Sequence, residues 1–203
     1  GYATHVLVPH TRYLIDHAPL SPSYAGALMC SGLTAYSALK RLADRAARAP
    51  MLLVGLGGVG LMGLALARAM YGTAPYVADI DAKKREAALA AGAQAAFDPA
   101  DPAARKALLK ASGGIYAAVD FAGSDKSLNF ATSVLAKGGK VVVTGLIGGG
   151  YSTAVAMFSL KAMTIEGTQT GTLAEAREVI DLVRAKNIAP PPISTTIIVV
   201  HRP

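Results

Sequence analysis

Gly55, Gly57 and Gly60, spaced G-x-G-x-x-G inside "MLLVGLGGVGLMG", are the residues of this sequence best suited to hold a charged ligand. They follow an apolar run and open a helix-like stretch, the context that gives such a pattern meaning. Gly55 permits a tight turn, Gly57 lets the backbone approach a pyrophosphate, and Gly60 lets the helix sit close to the strand. A phosphate placed there meets free N–H groups at the positive end of a helix. Asp79 lies 19 residues beyond Gly60, where a carboxylate can accept hydrogen bonds from ribose hydroxyls. A 2′-phosphate at that position faces repulsion, so the pair of loop and carboxylate favours NAD over NADP, with Lys83, Lys84 and Arg85 close enough to soften the preference.

Two other readings of the loop are weaker. Met51 to Ala67 is free of charge for 17 residues, short of a membrane span and set in the middle of an alternating pattern. A flexible linker would be polar, and this stretch is apolar. The net charge of +7 is scattered over "LKRLADRAARA", "AKKRE", "ARKALLK" and "LVRAK". These are solvated helix faces rather than a basic strip, so no nucleic-acid partner and no membrane are expected.

The elements that must position this loop alternate in type. "MLLVG", "YVADI", "AAFDP", "IYAAVDF", "KVVVTGL" and "MTIEGT" read as strands, with helices over Val59 to Met70, "AKKREAALAAG", "PAARKALLKAS", "DKSLNFATSVLA" and "TLAEAREVIDLVRAK" between and after them. Thr172 and Glu175 form a capping box for the last helix. Residues 22 to 48 read as helical, "THVLVP" as an opening strand, and "TTIIVVHRP" as another strand after a proline run. Six strands alternating with helices predict an α/β protein: a Rossmann, doubly wound, six-stranded parallel sheet. A hydrophobic content of 52% with only 16% charged residues fits a sheet covered on both faces. Cys30 is the single cysteine; it excludes an internal disulfide and points to a reducing cytoplasm. "GYATHVLVPH" has neither an initiator Met nor the layout of a signal peptide, and suggests a chain that begins partway into something longer.

"GLGGVGL" with "CSGLTAY", "ADIDAKKREAALAAGA", "VDFAGS" and "GGKVVVTGL" resembles the medium-chain, zinc-dependent alcohol dehydrogenases, from residue 1 to about residue 188. The resemblance implies a cofactor domain over 31–186, flanked by remnants of a GroES-like catalytic domain: 1–30, with the start of the linking helix, and a return segment at 187–203. It implies NAD as hydride acceptor, an alcohol giving aldehyde or ketone, and a catalytic zinc with Cys30 as one ligand, the other ligands lying outside this sequence. It further implies that Thr34 and Val59 contact the nicotinamide, that Gly58 and Val59 offer amides to phosphate, and that Lys84 lies near the adenosine ribose. Phe121, Ala122, Thr144, Gly145 and Leu146 line the nicotinamide side. Subunits would pair, as a dimer or tetramer, at a sheet edge near residues 152–158.

No histidine replaces the missing zinc ligands: His5, His10 and His17 lie in the leading segment, His201 in the tail, and a lone His is more often structural or solvated. Two alternatives stay open. One is a non-catalytic NAD-binding module; the other is a zinc-free quinone reductase using NADPH.

Overall fold

A computed structural model describes residues 5–46 and 50–191 of the 203-residue chain. Its centre is a six-stranded, all-parallel sheet: β1 (Met51–Val54), β2 (Tyr76–Ala78), β3 (Ala95–Phe97), β4 (Ile115–Asp120), β5 (Leu135–Val143) and β6 (Thr164–Gly167). The spatial order is β3-β2-β1-β4-β5-β6. The order reverses between β1 and β4, which leaves a crevice at the carboxyl ends of those two strands. The register runs Leu53 beside Val77 on one side and beside Val119 on the other.

Both faces of the sheet are covered, which is why its strands are near-continuous apolar runs instead of alternating ones. Leu53, Val77, Ala117, Val119 and Val142 point into one core, shared with α2 (Leu33–Lys40), α4 (Gly58–Tyr71) and α9 (Leu173–Lys186). Leu52, Val54, Ala118 and Val141 point into the other, shared with α6 (Ala104–Ser112) and α7 (Asp125–Ser133). The remaining helices are α1 (Pro22–Ala27), α3 (Ala43–Ala46), α5 (Ala82–Ala90) and α8 (Ala156–Lys161). Tyr24, Leu28, Ala35 and Leu39 lie in the first of these cores, so the leading helices are packed on the sheet rather than apart from it. The Thr172–Glu175 capping box forms as expected, each side chain accepting from the other residue's N–H.

Four expectations are corrected. Residues 5–9 form no strand; the leading segment is irregular apart from a short 3-10 turn at Thr11–Tyr13. The helical stretch from residue 22 is broken into pieces, with a π-helical turn over Leu28–Gly32 between α1 and α2, and residues 47–49 lie outside the described residues. β5 begins at Leu135, earlier than "KVVVTGL", because Leu135 already pairs with Ile115 ahead of a register irregularity. Residues 152–158 are no sheet edge: they lead into α8, which packs against β5, while the outer strand on that side is β6. The expected strand in "TTIIVVHRP" lies outside the described residues. Among the described residues, no helix is long and apolar enough to cross a membrane.

Candidate functional site

β1 delivers its chain directly into the glycine loop at the switch point. Gly55 has φ +87°, a left-handed conformation that side chains rarely adopt, and its N–H donates to the Ala78 carbonyl of β2 at 2.8 Å. A Cβ on Gly60 would sit 1.9 Å from the Gly55 carbonyl oxygen, so the first turn of α4 lies against the loop with no room for a methyl group. Gly57 is different in kind: a Cβ there would meet nothing within 4 Å. The open volume above Gly57 is the place where a phosphate can approach. Gly57 caps α4 with no side-chain hydrogen bond, which leaves the first N–H groups of a 14-residue helix available to an anion.

Asp79 closes the loop from the next strand. Its Oδ2 accepts from the Leu56 N–H at 2.6 Å and its Oδ1 from the Asp81 N–H at 2.9 Å. One carboxylate therefore fixes the glycine loop and the turn into α5 together, and two oxygens with about four lone-pair sites still have acceptor capacity for a ligand. Arg85 donates to the Asp79 carbonyl at 2.7 Å and pairs with Asp98 at 3.2 Å, so it is committed to the scaffold.

A cavity of about 400 Å³ opens at this point. Gly55, Gly57, Gly58, Val59, Gly60, Asp79, Lys84, Phe121 and Ala122 all line it, bringing together nine of the residues singled out from sequence. Thr34, Thr144, Gly145 and Leu146 are not among its lining residues. The lining also includes Ile80, Ala100, Ser124 and Lys126, which the sequence did not single out. Ile80 is 73% exposed, an apolar side chain left at a strand end directly after the key acid; that pattern, a bare hydrophobe following a carboxylate, was the available signal for a surface on which a flat ring can rest. Lys84 and Lys126 are the two cations of the lining and suit a ligand carrying phosphates.

The far wall is shaped by Asp120, fully buried at the end of β4. Its Oδ1 accepts from the N–H groups of Ala122 and Gly123 at 3.0 and 2.9 Å, and its Oδ2 from the Ser127 hydroxyl at 2.8 Å. Burial pushes the Asp120 carboxyl above its ordinary value near 3.8, and the three donors partly counter that shift. A raised folded pKa means that the folded chain holds this proton more tightly than the unfolded one. The associated stability is present in full below the ordinary carboxylate range and is lost as pH rises through the raised value. Asp120→Asn keeps an oxygen for the two N–H groups and places an amide toward Ser127, yet carries no charge to bury. The expected result is that D120N gains on the wild type, in urea midpoints measured from about pH 4 upward, as pH rises into the mildly acidic range, and the gap becomes constant above it.

Cys30 is exposed and lies in the π-helical turn, with Thr34 half-buried one turn further on. Among the described residues, no three His, Cys, Asp or Glu side chains gather as a metal-holding group. Cys30 has no co-ligands there, and the described residues do not by themselves fit the tetrahedral zinc site that the resemblance implied. The histidines behave as lone ones usually do: the His10 ring accepts from the Arg12 N–H, and the His17 ring is 2.9 Å from the Leu20 carbonyl. His201 lies outside the described residues.

Comparison with known proteins agrees with this architecture. The chain is 30% identical over 192 residues to an NAD-dependent alcohol dehydrogenase of Sulfurisphaera tokodaii, covering 94% of this chain and 55% of that one. It is 32% identical over 193 residues to the NAD-dependent alcohol dehydrogenase of Sulfolobus acidocaldarius, with the same two coverages, 94% and 55%. The chain thus spans about half the length of these relatives. The crystal structure of the D-arabinose dehydrogenase from Sulfolobus solfataricus superposes with a TM-score of 0.83 at 22% identity, covering 90% of this chain and 58% of that one, and shares the fold. The sequence profile described as zinc-binding dehydrogenase matches residues 58–185, which run from the first turn of α4 to the last of α9 and so take in the glycine loop's helix, Asp79 and the whole second half of the sheet. By that match the chain belongs to the zinc-binding dehydrogenase family, the medium-chain alcohol dehydrogenases.

Proposed function

We propose that this chain is the NAD-binding part of an NAD-dependent alcohol dehydrogenase, which transfers hydride between an alcohol and NAD to give an aldehyde or ketone. The observation that carries the reading is Asp79: a carboxylate that lines the cavity, is buried at its rim and is tied by Leu56 to the glycine loop. The N–H donors for phosphate and the carboxylate acceptor for ribose are one rigid unit, set for a dinucleotide without a 2′-phosphate. The relatives named as NAD-dependent alcohol dehydrogenases support the same chemistry.

Within that reaction, the residues described here bind and orient. The N–H groups at the start of α4 take the pyrophosphate, Asp79 the ribose, and Ile80 the adenine. Val59 and Phe121 shape the path toward the reacting ring. Cys30 would contribute one thiolate to a catalytic zinc only with ligands from beyond the described residues.

The experiment is a titration of the 203-residue chain with NADH and NADPH by fluorescence, beside metal analysis and an alcohol-dependent absorbance assay. NADH is expected to bind at least tenfold tighter than NADPH. Tighter NADPH binding would point to the quinone-reductase type, and alcohol-dependent turnover with stoichiometric zinc would rule out a non-catalytic cofactor-binding module.

A further inference from the structure

The two N–H groups that Asp120 Oδ1 accepts would be satisfied equally well by an asparagine, with no charge to bury. The fold by itself does not call for an acid at this position. What a carboxylate does, and an amide does not, is accept at both oxygens and donate at neither. That one-way character passes outward through the side chains at the start of α7.

Ser127 is the first link. Its hydroxyl has one proton and two acceptors within reach, Asp120 Oδ2 at 2.8 Å and the Ser124 carbonyl at 3.1 Å. The carboxylate is both nearer and charged, so it takes the proton. Ser127 Oγ is then an acceptor only, and its two lone pairs are used by the Ser124 N–H at 2.9 Å and the Ser124 hydroxyl at 3.0 Å. Ser124 is the second link. Its proton is turned inward to Ser127, and its oxygen accepts from the Ser127 N–H at 3.1 Å. Ser124 is left with one lone pair and no proton to give.

Both serines line the cavity. Ser127 is buried and has no free proton or lone pair, so on this wall Ser124 presents the acceptor. Lys126, beside them in the lining, can only donate, and Asp79 is taken up by the ribose and the loop. A base resting on Ile80 therefore meets, from the α7 side, an oxygen that accepts and does not donate. Adenine has a single donor group, its 6-amino group, while its ring nitrogens accept.

We infer that Ser124 reads the 6-amino group of the dinucleotide's base, with Asp120 and Ser127 as positioning residues that keep the Ser124 proton out of the cavity. This assignment rests on the NAD reading above and adds to it a means of choosing a 6-amino over a 6-oxo purine. Asp120→Asn reverses the chain. Its amide donates to Ser127 Oγ, the Ser127 proton turns to the Ser124 carbonyl, and the Ser124 hydroxyl is released to donate into the cavity as well as to accept.

The test titrates wild type, Asp120→Asn and Ser124→Ala, at mildly alkaline pH, with NADH and with reduced nicotinamide hypoxanthine dinucleotide, which carries a 6-oxo group in place of the 6-amino group; the unliganded chains are melted in parallel. One neutral hydrogen bond corresponds to an affinity change of about three- to tenfold, and wild type is expected to prefer NADH by that factor. In Asp120→Asn the ratio should fall to within about twofold of unity, chiefly because the 6-oxo ligand binds more tightly, with melting at or above the wild-type temperature. In Ser124→Ala the ratio should fall as far, chiefly through weaker NADH binding, and the loss of the α7 cap lowers the melting temperature. A wild-type ratio near unity or in favour of the 6-oxo ligand, or a wild-type ratio kept in either variant, would overturn the assignment while leaving the NAD reading in place. If Asp120→Asn does not fold, the ratio in Ser124→Ala decides alone. Failure of the wild-type chain to bind either ligand overturns both.

Discussion

Gly60→Ala is expected to abolish measurable dinucleotide binding and to lower the melting temperature by about 2–12 °C. The added Cβ would lie 1.9 Å from the Gly55 carbonyl oxygen, and the obstacle is backbone, so no rotamer change relieves it. Either the first turn of α4 lifts away or the loop is pushed outward. Overpacking of this kind costs about 1–3 kcal/mol, and for a chain of this size each kcal/mol moves the melting temperature by about 2–4 °C. Binding suffers more than stability, because the displaced turn carries the N–H groups that would meet a pyrophosphate, and small misplacements of such donors cost heavily. Gly57→Ala supplies the control. Gly57 has φ −72° and open space where its Cβ would be, so the variant should melt like wild type and still bind NADH about tenfold less tightly, its methyl occupying the approach to the backbone. If both variants bind as wild type does, the glycine loop is only a turn.

The rhythm of the fold was legible because each strand and helix announces itself locally. "MLLV" and "AAV" are buried on both sides and need to be apolar throughout, while Gly72 and Gly113 end α4 and α6 in left-handed caps. What escaped depends on contacts distant in sequence. "STAVAMF" has the alternating small and apolar residues of a strand, yet the helix following it is held by Lys161, whose ammonium reaches the carbonyls of Thr132, Ser133 and Leu135 at the end of α7. "THVLVP" has the β-branched composition of a strand, but residues 5–9 pair with none of the six strands, and a strand without a ladder is only extended chain. In the site, Gly55, Gly57, Gly60 and Asp79 follow from spacing, since their roles are set by one βαβ unit. Ile80 and Ala100 come to the cavity from two different connections and Lys126 from the first turn of α7, and no local pattern joins them. Nor does spacing reveal that Asp79 holds Leu56, 23 residues away in the chain.

That last contact makes Asp79 the second position where a single change has a large effect, because it carries two jobs that mutation can separate. Asp79→Ala leaves the Leu56 N–H without its acceptor in a place where Leu56 is 1% exposed. An orphaned buried donor costs about 1–3 kcal/mol, so the unliganded chain should unfold at lower urea, the more so because the Asp81 N–H loses its partner as well. The effect on ligands is separate. Without the carboxylate, NADH loses its ribose acceptor and should bind at least tenfold more weakly. A 2′-phosphate, by contrast, is relieved of a repulsion on the order of 4 kcal/mol for unit charges about 4 Å apart at an effective dielectric near 20, and Lys84 remains in the lining to meet it. The ratio of NADH to NADPH affinity is therefore expected to fall about a hundredfold or more. Asp79→Asn splits the two roles: its carbonyl oxygen can still accept from Leu56, so stability should recover part of the loss, while the preference for NADH stays low because the charge is gone. Retained NADH preference in both variants would remove Asp79 from ribose selection, whereas wild-type stability in Asp79→Ala would show that the loop holds its shape without this carboxylate.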